Sequence, residues 1–179
     1  MNTNKQILKL VFEILFASLI IVISIGAWNN SINIQNKVFA FNNKLNAIDF
    51  KQLNQMNVTN IFPISNEDAL NKYNKSVFQL SNNNNINTKY RFIYRIYNSS
   101  TIEIDWFNFY LKVDNDEIID NLSNQIMNKT DEYVDIILYE SNIDSNEIKE
   151  IEFLIWLDYN IGNEAQNKIL RTETFVDTI

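Results

Sequence analysis

The sequence predicts a mainly β protein, an antiparallel β-sandwich preceded by one N-terminal hydrophobic helix. Three observations predict it. Apolar and polar residues alternate over short stretches recurring roughly every ten to twenty residues, the pattern of half-buried strands. Helical periodicity is almost missing, so a doubly wound α/β fold has nothing to build its covering layers from. A single apolar run, Ile14 to Trp28, stands at the start with basic residues only on its N-terminal side, Lys5 and Lys9.

That run has the charged flank and apolar body of an export signal. It is long for a signal peptide and, extended back through Leu10-Val11-Phe12, nearly long enough to span a bilayer. Small residues at Ser24 and Gly26 make cleavage between Gly26 and Ala27 the candidate signal-peptidase site. If the segment is retained, Trp28 takes the place of an interfacial anchor. Residues 1–28 therefore read as a signal peptide or signal-anchor helix, and residues 29–179 as the exported domain, membrane-anchored or secreted at the cell surface.

Within that domain the loose alternation of Ile32, Ile34 and Val38 with Phe39 and Phe41 gives one or two strands with a slip between them. Ser65 before Asn66-Glu67-Asp68-Ala69-Leu70 reads as a capped helical turn. Strands are then expected over Ser76–Ser81, Lys89–Tyr97, Trp106–Val113, Tyr133–Tyr139, Glu147–Asp158 and Ile169–Val176. In the third of these, Phe107, Phe109, Leu111 and Val113 point inward and Asn108 and Lys112 outward; in the fifth, Ile151, Phe153, Ile155 and Leu157 point inward. Asn82-Asn83-Asn84-Asn85 is expected to be a loop, and about one residue in six is Asn, a bias that an AT-rich genome produces.

Composition excludes more than it specifies. With 46% hydrophobic and 13% aromatic residues in 179, one sizeable core is available. The chain has no cysteine and no histidine, which removes disulfides, a lipoprotein anchor, thiolate and imidazole metal sites and the Ser-His-Asp and Cys-His hydrolases. Two glycines, Gly26 and Gly162, provide no phosphate-cradling loop. The net charge of −7 disfavours nucleic acid as a partner. Charge is unevenly divided, Asn29–Ser100 mildly basic and the remainder strongly acidic, a division that reads either as two solvated charged faces of one domain or as two complementary faces that favour head-to-tail self-association.

No catalytic, cofactor or metal site is expected. The densest carboxylate cluster, Asp114, Asp116, Glu117 and Asp120, lacks the spacing and glycine of a calcium-binding helical loop and reads as an acidic hairpin turn. Asp158 and Glu164 flank the loop after the longest strand, a carboxylate pair of the kind that works on glycosidic bonds but also of the kind any acidic surface carries.

Two stretches carry a family resemblance. Ile61-Phe62-Pro63-Ile64-Ser65-Asn66-Glu67-Asp68-Ala69-Leu70 with the strands after it, and Phe153-Leu154-Ile155-Trp156-Leu157-Asp158 followed by Gly162-Asn163-Glu164-Ala165, resemble the TasA/camelysin group of exported Gram-positive cell-surface and biofilm-matrix proteins. The resemblance spans Ile61 to Val176. It implies a jelly-roll sandwich without enzymatic activity, a self-associating fibre subunit or a partner of a related surface protein, with Ser31–Phe41 as the strand donated to a neighbour. The alternative is a membrane-anchored extracytoplasmic ligand-binding or accessory module of an envelope complex in a Gram-positive or wall-less bacterium.

Overall fold

Where alternation is strongest in the sequence, the computed structural model has its longest strands. It describes residues 33–36, 48–54 and 63–179. The chain divides into two compact units, Met1–Ser31 and Ile32–Ile179, and every described residue belongs to the second. The expected hydrophobic helix and the Gly26–Ala27 position lie outside the described residues. Among the described residues no helix is long and apolar enough to cross a membrane.

The described residues of the second unit are mainly β, with two largely antiparallel sheets and one α-helix among them. Its strands are β1 (Asn33–Asn36), β2 (Ile48–Asn54), β3 (Pro63–Ile64), β4 (Ser76–Asn82), β5 (Thr88–Tyr97), β6 (Phe107–Val113), β7 (Asp116–Asn121), β8 (Ile126–Lys129), β9 (Tyr133–Ile143), β10 (Ile148–Asp158) and β11 (Ile169–Thr178). The first sheet has the order β1-β11-β5-β9-β8, and the second β2-β4-β10-β6-β7, with β3 against the end of β10. Two pairings are parallel, β1 with β11 and β3 with β10. A bulge interrupts β2 near Gln52–Asn54; the slip expected between Val38 and Phe39 lies outside the described residues.

The sheets face each other across a core of aromatic rings. Phe50 stacks on Phe78 at 5.1 Å in the second sheet, and Phe92 of the first sheet reaches Phe78 at 5.7 Å and Phe153 at 5.8 Å. Burying each such ring stabilises the fold by about 1.5–3 kcal/mol, and the ring pairs add about 0.5–1.5 kcal/mol beyond the area buried. The inward stripes of β6 and β10 are those the sequence predicts.

The second sheet is buried on its outer side too. Helix α1 (Asn66–Lys72) begins at Ser65, whose Oγ accepts from the Asp68 backbone N–H at 3.2 Å, and it packs on β10. Leu154 and Trp156, on the outer side of β10, are fully buried. Asn108, expected to face solvent, is likewise covered and only 8% exposed.

The outer side of the first sheet is built differently. Register sets Glu173, Arg95 and Asp135 in one row across β11, β5 and β9, and Asp177, Arg91 and Glu140 in another. Between them lies an apolar row of Phe175, Ile93, Ile137 and Ile126. Arg95 binds Asp135 through two nitrogens at 2.6 and 2.9 Å and stacks 3.6 Å above the Tyr133 ring. Lys89 and Arg91 share Glu140. This corrects the expected segregation of charge: the basic strand β5 lies between the acidic strands β9 and β11, so here opposite charges interleave.

Candidate functional site

The two stretches that carry the resemblance meet at one place, the C-terminal end of β10 beneath α1. Asn66 opens the helix, and its Oδ1 accepts from Trp156 Nε1 at 3.2 Å and from Asn108 Nδ2 at 3.3 Å. Asn108 Nδ2 also donates to Asp158 Oδ2 at 2.7 Å, while its own Oδ1 accepts from Asn121 Nδ2 at 3.0 Å. Asn121 donates further to the Asp105 carbonyl at 2.8 Å and caps Ser123. Helix, β6, β7 and β10 are thereby joined by side-chain amides.

Asp158 is fixed as an acceptor. Its Oδ1 takes hydrogen bonds from the Asn160 backbone N–H at 2.9 Å and the Asn160 side chain at 2.8 Å. The Asn160 backbone bond first, and the Asn108 bond next, hold its carboxyl below the usual carboxylate range. A group so stabilised as the anion is a poor proton donor. Glu164 sits in the 3-10 turn Asn163–Ala165, its carboxylate folded over Gly162, where an added Cβ would come within 2.9 Å of Oε2. Asp158 is directed to Asn160 and Asn108.

The acidic cluster is dispersed by strand formation. Asp116 to Asn121 is not a turn but the edge strand β7, and Asp114, at φ 54°, occupies the bend before it. Asp114 binds Lys149 at 2.7 Å, Asp116 accepts from the Tyr139 hydroxyl at 2.6 Å, and Asp120 is surrounded by amide donors from Asn121, Asn124 and Gln125, each at 2.7 Å. Among the described residues no group of three or more acidic side chains is placed to hold a metal ion.

Two buried features escape a reading of sequence alone. Asn82, expected in a loop, ends β4 only 1% exposed, and its amide donates to the carbonyls of Ile86 at 2.8 Å, Asp144 at 3.0 Å and Ile143 at 3.2 Å. Tyr90 is fully buried with no hydrogen-bond partner for its hydroxyl among the described residues. Desolvation is the chief cause raising its pKa far above that of a free phenol, and neighbouring Tyr139 and Asp114 add to it.

No family model matches the chain, and no curated protein matches it. A solved structure described as "AvmM Catalyzes Macrocyclization in Alchivemycin A Biosynthesis" is similar at a TM-score of 0.41 and 7% identity, over 79% of this chain and 90% of that one, a likeness too slight to carry function from one to the other.

Proposed function

We propose that this chain is a non-enzymatic, exported cell-surface or biofilm-matrix protein of the TasA/camelysin type, a jelly-roll β-sandwich that self-associates as a fibre subunit. The observation that carries the proposal is the place of β1. With β2, β3 and β8 set aside, the sheets have the orders β1-β11-β5-β9 and β4-β10-β6-β7, the arrangement of a jelly roll with one departure. Strand β1 runs parallel to β11 over four residue pairs, Asn33–Asn36 against Ile169–Thr172, while every other pairing in that sheet is antiparallel. An antiparallel strand from a neighbour would complete the same edge with the more regular ladder. The bonding of Asn66 to Trp156 supports the resemblance, because it ties together the two stretches on which the resemblance rests.

The test is deletion of Ser31–Phe41. The expected outcome is a folded domain that no longer forms fibres; fibres from the truncated chain would refute strand donation.

A second reading, a membrane-anchored extracytoplasmic binding or accessory module, is favoured by the length of the apolar run Ile14–Trp28 and its weak cleavage position at Gly26–Ala27. Intact mass of protein recovered from a Gram-positive host separates the two. A start at Ala27 supports the released subunit, and full length supports the tethered module.

A further inference from the structure

We infer that the outer face of the first sheet is an interface for a second copy of this chain. The inference deepens the proposed self-association by naming the surface, and it is independent of strand donation at β1.

The two sheets differ in what covers them. The outer side of the second sheet has α1 against β10 and buries Trp156 and Leu154 beneath it. On the first sheet the described helix has no such place, and the face has an unusual composition. The chain contains only three arginines, Arg91, Arg95 and Arg171, against twelve lysines, and by strand parity all three stand on this one face. They share it with the rings of Tyr133 and Phe175, which flank Arg95 at 3.6 and 4.7 Å, and with the apolar row ending in Ile126, 69% exposed. Arginine and aromatic side chains are the residues that concentrate in the cores of protein interfaces.

Charge identifies the partner. On this face the three arginines and Lys89 balance Glu173, Asp177 and the two carboxylates of β9, so it is neutral. The rest of the described residues hold seven Lys or Arg against seventeen Asp or Glu. Two copies of so acidic a domain repel one another in most orientations, and this face is where they can approach without that repulsion. A polyanion is disfavoured, because Arg91 and Arg95 are already engaged by Glu140 and Asp135 and capture of phosphates or uronates requires free cations.

The rows also complement themselves. Each alternates in sign from strand to strand, carboxylate on β11, arginine on β5, carboxylate on β9. A two-fold axis running along the strands, midway between β5 and β11, sets Arg91 of each copy over the exposed Asp177 of the other, while Glu173, only 3% exposed and accepting from the Tyr97 hydroxyl, lies beneath the contact. That is an isologous contact with the sheets aligned, as stacked sheets commonly are. Under that axis β11 lies over β5 and β1 over part of β9, while β8 with Ile126 lies outside; strands about 4.8 Å apart then bury about 450 Å² per copy, the size of a weak complex, so the dimer is expected to be concentration-dependent.

The experiment is sedimentation velocity on the full chain across a concentration series. Wild type is expected to show a monomer–dimer equilibrium, and Arg91→Glu to weaken it at least about tenfold by placing like charges opposite each other. The swap Arg91→Glu with Asp177→Lys reverses both members of the facing pair, keeps the face neutral and restores the dimer. Circular dichroism checks folding; if Arg91→Glu unfolds the domain, the exposed Asp177→Lys is expected to give the same loss. A monomeric wild type up to about 100 µM, which leaves no useful affinity, overturns the inference, as does a dimer indifferent to these substitutions or one that the swap fails to restore. Deletion of Ser31–Phe41 keeps the two proposals apart: a truncated chain that loses fibres but keeps the dimer supports both, and one that still forms fibres refutes strand donation and leaves this interface standing.

Discussion

Replacing Asn108 by Ala removes the amide at the centre of the network beneath α1. Three hydrogen bonds go at once: to the Asp158 carboxylate at 2.7 Å, to Asn66 at 3.3 Å and from Asn121 at 3.0 Å. A bond to a charged group contributes about 1.5–3 kcal/mol and a neutral one about 0.5–1.5 kcal/mol. Asp158 keeps some exposure, and the Asn66 bond is long, so the lower ends apply and the expected loss is about 2.5 kcal/mol. In urea this lowers the unfolding midpoint by roughly 1–2 M for a domain of this size. The loss has a pH signature. Asp158 has its carboxyl pKa lowered in the folded protein, so its contribution is fully present above the unfolded value near about 4 and disappears as pH falls through the lowered folded value. Without Asn108 that lowering is smaller, and the gap between wild type and variant narrows on acidification. A difference under about 1 kcal/mol at neutral pH, less than one good hydrogen bond, or one that stays constant down to about pH 3, below the unfolded carboxyl, would refute the reasoning.

Arg95→Lys keeps the charge but loses the two-point contact with Asp135 and the stacking on Tyr133 and Phe175; a loss of about 1–2 kcal/mol, seen as a melting temperature lower by roughly 2–6 °C, is expected, and an unchanged melt counts against the stack. Tyr90→Phe removes a buried hydroxyl without a partner among the described residues, and is expected to stabilise the domain by about 1 kcal/mol in urea unfolding, whereas a destabilised variant would reveal a partner. Tyr90 and Tyr94 both have pKa values raised by burial, so their contribution is intact below the free-phenol value and declines as pH rises beyond about 10; tyrosinate absorbance is expected to appear together with alkaline unfolding, and ionisation of all tyrosines in a still-folded domain would contradict it.

The fold was legible where one face of a strand is apolar. Strands β4, β5, β6, β9, β10 and β11 follow from alternation, because each packs one side against the opposing sheet. Strands β7 and β8 were not legible: at the sheet edges, Asp116-Glu117 and Asn128-Lys129 look like turn residues, and the pairing that makes them strands comes from β6 and β9. The one helical turn was readable from its Ser65 cap, although propensity alone does not say that it will cover Trp156. Asn108 and Asn82 illustrate the limit for polar residues, since burial of an amide depends on partners distant in sequence. Asn82 is bonded to residues 61 and 62 positions away, and a local pattern contains no trace of that. The bonding of the carboxylates, Asp158 as an anchor and Asp120 as a hub of amides, becomes visible only in three dimensions.

Strand order also bears on when this chain can fold. Strand β10 is the middle of the second sheet, and β11 lies between β1 and β5 in the first. Both come from the last part of the chain, and they pair with strands far upstream, Phe153 with Ser76 and Thr178 with Tyr90. A chain emerging from its N-terminus therefore holds most of its strands before it has the two that join them, and contacts this distant close slowly. Until Thr178 is in place the rings of Phe78 and Phe92 lack a finished enclosure, so synthesis proceeds ahead of folding. Folding is then a single late event, and loss of the last ten residues is expected to remove the whole domain rather than fray one end.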